Sequence, residues 1–158
     1  MTTYAEGTTV SAEKSRGEIE RTLARFGATG FAYGWDETRA SVQFVAQGRQ
    51  VRFVMTLPDP SESRFTMFTR SKYGSPERRS LGAAKSLHEA EVRRLWRVLA
   101  LAVKAKLSLV EAEIVSFEQE FLAFVVLPSG RTVYEETHAA IASAYDGNQI
   151  PALLPGGR

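Results

Sequence analysis

Cysteine is absent from this 158-residue chain. Its absence excludes disulfide cross-links, thiolate metal centres and a cysteine nucleophile. Histidine is nearly as scarce, with only two residues, His88 and His138. Each has a glutamate at helical spacing (Glu91 and Glu135), but no third or fourth ligand stands within evident range, so both pairs read as surface residues. The acid pairs Glu111/Glu113 and Glu118/Glu120 read better as a solvated helix than as a divalent-ion site. No apolar run approaches the roughly 18 residues that a membrane span requires. The stretch "MTTYAEGTTVSAEKSRG" lacks the apolar core of a signal peptide, so a cytoplasmic location is expected. There is no G-x-x-x-x-G-K-[ST] phosphate loop, no G-x-G-x-x-G, no G-x-S-x-G and no H-E-x-x-H. Nothing gives a positive reason to expect an enzyme, and no catalytic residue, metal or cofactor is assigned.

What is present is the composition of one globular domain, residues 1–158, with 44% hydrophobic and 24% charged residues. The net charge of +2 conceals an uneven distribution. Residues 64–106 carry eleven Lys or Arg against Glu77, Glu89 and Glu91, about +8, whereas residues 107–158 carry two against seven acids, about −5. Such asymmetry suits a middle that faces a polyanion, or two regions that neutralise each other inside one fold or across a homo-oligomer.

The order of elements is legible. Ser11 or Ser15 can cap a first helix, the latter with Glu18 in capping-box spacing, and Ile19, Leu23 and Phe26 form its apolar stripe before Gly27. Three alternating runs follow, "GFAYGWDE", "RASVQFVA" and "QVRFVMTL". They place Phe31, Tyr33 and Trp35, then Val42, Phe44 and Ala46, then Val51, Phe53, Met55 and Leu57 on single faces. Short connections make them an antiparallel meander, which Pro58 and Pro60 stop. A long helix is expected from about Ser86 through at least Val110. Its apolar stripe is Val92, Leu95, Trp96, Leu99, Val103, Leu107, Val110 and Ile114. Helix is expected to continue to about Glu120, followed by an apolar strand or buried turn to Leu127. Thr132 and Glu135 repeat the capping-box spacing for a final helix to about Tyr145, with Gly147 as its stop. The tail from about residue 148 to 158 reads as extended. The fold class is α+β, with the long central helix packed on the three-stranded sheet.

Residues 58–85 stand apart as a long, basic, flexible loop, in which "RFTMFT" could extend a strand or form an arm and "YGSPERRS" reads as turn and linker. Loops of this length in a compact domain are usually functional or disordered. Single-stranded nucleic acid is held by cations along the phosphates and by aromatic rings under the bases. Arg64, Arg70, Lys72, Arg78 and Arg79, interleaved with Phe65, Phe68 and Tyr73, supply both. Arg93, Arg97 and Lys104 fall on one line of the following helix and would extend the track. The expected function is a non-enzymatic nucleic-acid-binding protein that self-associates. The alternative is a protein-binding or assembly module that docks through the same aromatic arm. Under the blandest reading, Phe65 and Phe68 tuck into the core and the basic residues only solubilise the loop.

The stretches "SRGEIERTLARFGA", "YGWDE", "WRVLALAVKAKL", "FEQEFLAFVVLPSGRTV" and "PALLP" resemble a family of small uncharacterised proteins of bacteriophages and bacterial genomes. That likeness covers most of the chain except the basic loop. It implies a phage-type protein, with a host or phage protein as the alternative partner, and it transfers no site residue. Separately, the order helix, three-strand meander, long helix is similar to the core of single-strand annealing recombinases. This second likeness is one of topology only, and implies an oligomeric annealing or recombination accessory.

Overall fold

The computed structural model describes residues 4–146. The expected stop at Gly147 and the extended tail lie outside the described residues. Helix α1 (Ala12–Phe26) begins where the Ser11 hydroxyl accepts a bond from the Lys14 N–H, 3.1 Å away. Ser15, the other expected cap, instead lies inside the helix and is buried. Gly27 ends it with φ 99°, a left-handed conformation that a residue without Cβ adopts at little cost.

Strands β1 (Gly30–Trp35), β2 (Arg39–Ala46) and β3 (Arg49–Thr56) form the expected antiparallel meander. Phe31 stands opposite Phe44 and Tyr33 opposite Val42, while Val42 opposes Phe53 and Phe44 opposes Val51. The β2–β3 turn is Gln47–Gly48, both at positive φ (49° and 72°), the backbone that a two-residue hairpin with native strand twist demands. At the other end the Asp36 carboxylate accepts from the N–H groups of Thr38 and Arg39, which holds its pKa below the usual carboxylate value. The alternation of β2 places Ala40, Val42, Phe44 and Ala46 in the core. The outer edge of β3 is engaged at one end, where Val125 bridges Val51 and the Val126 N–H bonds the Gln50 carbonyl. Among the described residues nothing pairs with the outer edge of β1.

Helix α3 (Leu81–Glu111) crosses the core side of the sheet and buries Trp96, Ala100, Val103 and Leu107. It starts earlier than the apolar periodicity suggested, because Ser80 caps it through the Ala83 N–H. It also ends sooner. Glu113 takes a positive φ of 56°, and Ser116 and Gln119 close a capping box that opens a separate helix, α4 (Phe117–Phe121). Local side-chain bonds to the backbone compete with helix continuation at this point. The break removes Ile114 from the stripe, leaving it 68% exposed, and lets Phe117 and Phe121 turn inward to buried positions. Phe121 meets Phe44 edge-on and stacks on Phe117, which in turn stacks on Phe26 of α1.

Of the strand or buried turn expected here, the structure has a turn, a single 3₁₀ turn (Leu122–Phe124) without a buried residue, before Val125 and Val126 bridge outward. Thr132 and Glu135 close the expected capping box, and α5 (Val133–Tyr145) ends as expected. No helix among the described residues is long and apolar enough to cross a membrane.

Candidate functional site

The basic segment is a folded arm rather than an open loop. Pro58 is buried at the end of the meander. Asp59 then accepts from both the N–H and the hydroxyl of Ser61, bonds that lower its pKa and tighten the turn. The single helical turn α2 (Ser63–Thr66) delivers Phe65 onto α3, where the ring is 4% exposed and meets His88 edge-on. A ring nitrogen of His88 lies 2.9 Å from the Pro58 carbonyl oxygen, tying the start of the arm to the same helix. Two short strands, β4 (Met67–Phe68) and β5 (Glu77–Arg78), then pair antiparallel and close residues 69–76 into a projecting tip.

Six of the sequence-selected residues converge on this hairpin. Phe68 lies between two guanidinium groups, Arg70 at 5.9 Å and Arg79 at 5.3 Å from its ring centre. Arg79 also donates to the Met67 carbonyl at 3.1 Å, which locks the base of the hairpin. Arg70 pairs with Glu77 at 3.1 Å, but both side chains are largely exposed, so water screens the pair and leaves it weakly held. At the tip, the Lys72 ammonium lies 5.8 Å from the centre of the Tyr73 ring, and Tyr73 is 92% exposed. Arg78 is exposed and has no side-chain partner among the described residues.

The other five selected residues are placed elsewhere. Phe65 is a buried anchor, since an apolar ring with a fitting pocket gains more from burial than from standing in water. Arg64 sits at the base of the arm, bonded to Glu62 at 2.7 Å and within 3.6 Å of Glu91. Arg97 is bound to Glu18 between α3 and α1, so its charge is neutralised inside a helix contact. Arg93 lies beside Gly7, Thr8 and Thr9, and Lys104 is exposed about three turns further along α3. The line of Arg93, Arg97 and Lys104 is therefore interrupted at its middle residue.

The histidine–glutamate pairs are engaged separately. Glu91 accepts two bonds from Arg94, at 2.8 and 2.7 Å, which hold its carboxyl below the ordinary range. Glu135 accepts from the Thr132 N–H and from Arg52, the first being the main cause of its lowered pKa. His138 is directed at the Tyr134 carbonyl. Among the described residues no three His, Cys, Asp or Glu side chains gather to hold a metal ion.

A second cluster escaped the sequence reading. Tyr33 and Trp35 stack nearly parallel (8° between planes, centroids 5.8 Å apart) while 46% and 66% exposed. The Arg16 guanidinium of α1 lies 5.2 and 5.6 Å from these rings and 5.1 Å from buried Trp96. Period-two spacing placed both rings on one face. It could not show that this face overhangs the core at the sheet's edge, because the residues that define the overhang lie on α1 and α3.

Compared with protein-family models, curated proteins and solved structures, the chain finds no match. The functional reading therefore rests on the geometry of these residues.

Proposed function

We propose that the protein is a non-enzymatic cytoplasmic binder of single-stranded nucleic acid, of phage type, and that the arm is its contact surface. The observation that carries this reading is the tip of the arm. An almost fully exposed Tyr73 stands beside Lys72, with Phe68 between Arg70 and Arg79 behind it and exposed Arg78 further down the hairpin, opposite Met67. Cations spaced around an open ring suit a phosphate chain with a stacked base, and stacking of this type is worth about 1–3 kcal/mol per base. The Arg70–Glu77 pair is exposed enough to be exchanged for a phosphate contact. An annealing or recombination accessory is the role that such binding would serve.

Docking on a host or phage protein is the second reading, favoured by Leu81. That side chain stands 91% exposed where the arm joins α3, and an apolar group gives no advantage against a phosphate chain. Fluorescence anisotropy with labelled single- and double-stranded oligonucleotides at several salt concentrations separates the two. Salt-dependent binding that prefers the single strand is expected. No binding to any oligonucleotide at low salt leaves the protein-docking reading in place.

A further inference from the structure

We infer that the outer edge of β1 is a self-pairing surface, and that two copies of the chain join their sheets across it. The direction of the main-chain groups follows from the ladder. The Leu57 N–H bonds the Thr38 carbonyl and the Asp36 N–H bonds the Arg39 carbonyl. In an antiparallel register these two bonds fix the alternation. Gly30, Ala32 and Gly34 direct their N–H and C=O groups at β2, whereas Phe31, Tyr33 and Trp35 direct theirs outward. Among the described residues nothing bonds to these outward groups.

Edge strands normally carry a lysine, a proline or a bulge that discourages pairing. "TGFAYGW", residues 29–35, has no charge and no proline, and all six residues of β1 keep regular register with β2. The strand is also self-complementary. Antiparallel pairing about a two-fold axis at Tyr33 sets Phe31 opposite Trp35 of the other copy and Tyr33 opposite its counterpart. Each such pair exchanges two main-chain bonds. All the aromatic rings then fall on one face, and Ala32 meets Gly34 on the other without steric conflict.

Charge and area favour a second copy over an unrelated strand. Asp36 and Glu37 follow the strand at one end, while Arg25, in the last turn of α1, precedes it at the other. An antiparallel partner brings each acidic end towards the other copy's Arg25. Tyr33 and Trp35 are half to two-thirds exposed, so four such rings would withdraw roughly 400 Å² of aromatic surface from water. With the strand backbones added, the total stays below the roughly 1,200 Å² of standard interfaces, so the dimer is of the weak, concentration-dependent class and relies on the main-chain ladder as much as on area. The pairing also closes. Val125 and Val126 engage one end of β3's outer edge, so a two-fold dimer with a continuous six-stranded sheet is favoured over an open fibre.

Light scattering at tens of micromolar should give twice the 17.5 kDa chain mass. On dilution, emission should shift to the red as Trp35 returns to water, since Trp96 is buried in either state. Tyr33→Pro removes an outward N–H without touching a β1–β2 bond, and Tyr33→Lys sets two like charges directly opposite each other at the two-fold axis. Each should lower the dimer fraction at least tenfold while the far-ultraviolet circular dichroism is retained. A single-chain mass for the parent at these concentrations overturns the inference, as does a dimer that survives both substitutions in a folded protein. Should either variant fail to fold, amide exchange on the parent decides. Protection of Phe31, Tyr33 and Trp35 that disappears on dilution upholds the pairing, and fast exchange in a dimeric sample ends it.

Discussion

The Phe65 ring meets the His88 imidazole edge to face, with centroids 5.4 Å apart and planes at 88°. This contact pins the basic arm to α3, and it separates residues that hold the arm from residues that the arm displays. Phe65→Ala should therefore destabilise the fold by about 3–5 kcal/mol, as buried phenylalanine truncations do. Tyr73→Ala should leave the melting transition within about 0.5 kcal/mol of the parent, because its ring touches little. Urea denaturation of the two variants measures the contrast, and similar losses for both would reverse the assignment.

Charge removal on the arm should act through counterions. Replacing Arg70, Lys72 and Arg78 by Ser should flatten the slope of log affinity against log salt by about 0.7 for each phosphate that no longer has a cation beside it. Tyr73→Ala should weaken binding with the slope preserved, since stacking releases no counterions. Arg97→Ala is the control. It breaks the ion pair with Glu18 and should lower stability without altering the slope. Anisotropy titrations at four or more salt concentrations read all of these, and a slope change in Arg97→Ala would return that residue to the binding track.

Phe121 is fully buried and touches Phe44, Phe53 and Phe117, so it joins α4 to the sheet. Phe121→Ala should cost about 3–5 kcal/mol, with Phe121→Leu losing clearly less because it leaves a smaller cavity. Thermal and urea melts check both, and a loss below about 1 kcal/mol for the alanine would displace Phe121 from the core.

Ser15 is fully buried in α1, and its hydroxyl has no hydrogen-bond partner among the described residues. A buried hydroxyl without a partner loses its hydration and gains nothing in return. Ser15→Ala should stabilise the protein by about 1 kcal/mol, with helix propensity acting in the same direction. A lower melting temperature for this variant would show that the hydroxyl is bonded.

Acid should weaken the fold through carboxylates whose pKa is lowered in the folded state. Glu91 is held below its ordinary value by Arg94, and Glu135 mainly by the Thr132 N–H. A depressed folded-state pKa contributes stability that is fully present above the unfolded carboxylate value of about 4.3. That stability is lost as pH falls through the folded value. Melting temperature should be nearly level from neutral pH to about 5 and decline below about 4. Glu135→Gln keeps an acceptor for the Thr132 N–H but carries no charge, so it should reduce part of the decline. An identical profile for this variant would remove Glu135 from the effect.

Much of the architecture was legible because it is set locally. Period-two alternation from Phe31 to Met55 assigned the meander and its buried face, and the Thr132–Glu135 capping box marked the start of the last helix. Gly27 marked the end of the first helix, and Ser11 was one of the two caps its sequence offered, beside Ser15. Each of these signals depends on neighbours a few residues apart. The break between α3 and α4 was not legible, since "LVEAEIVSFEQEF" keeps helical spacing throughout. Burial of Phe117 and Phe121 favours the turn, and the Ser116–Gln119 box makes it possible without orphaned backbone groups.

The candidate site divides along the same line. Composition alone determined that a cation-rich, aromatic segment lies between the meander and the long helix, since charge and ring count do not depend on folding. Only the tertiary structure decided that Phe65 faces inward, that Glu18 neutralises Arg97 from another helix, and that Tyr33 and Trp35 overhang an edge that is unpaired among the described residues. Each of those outcomes depends on partners tens of residues away. A side chain's exposure is a property of what the rest of the chain places beside it, and no local pattern encodes that.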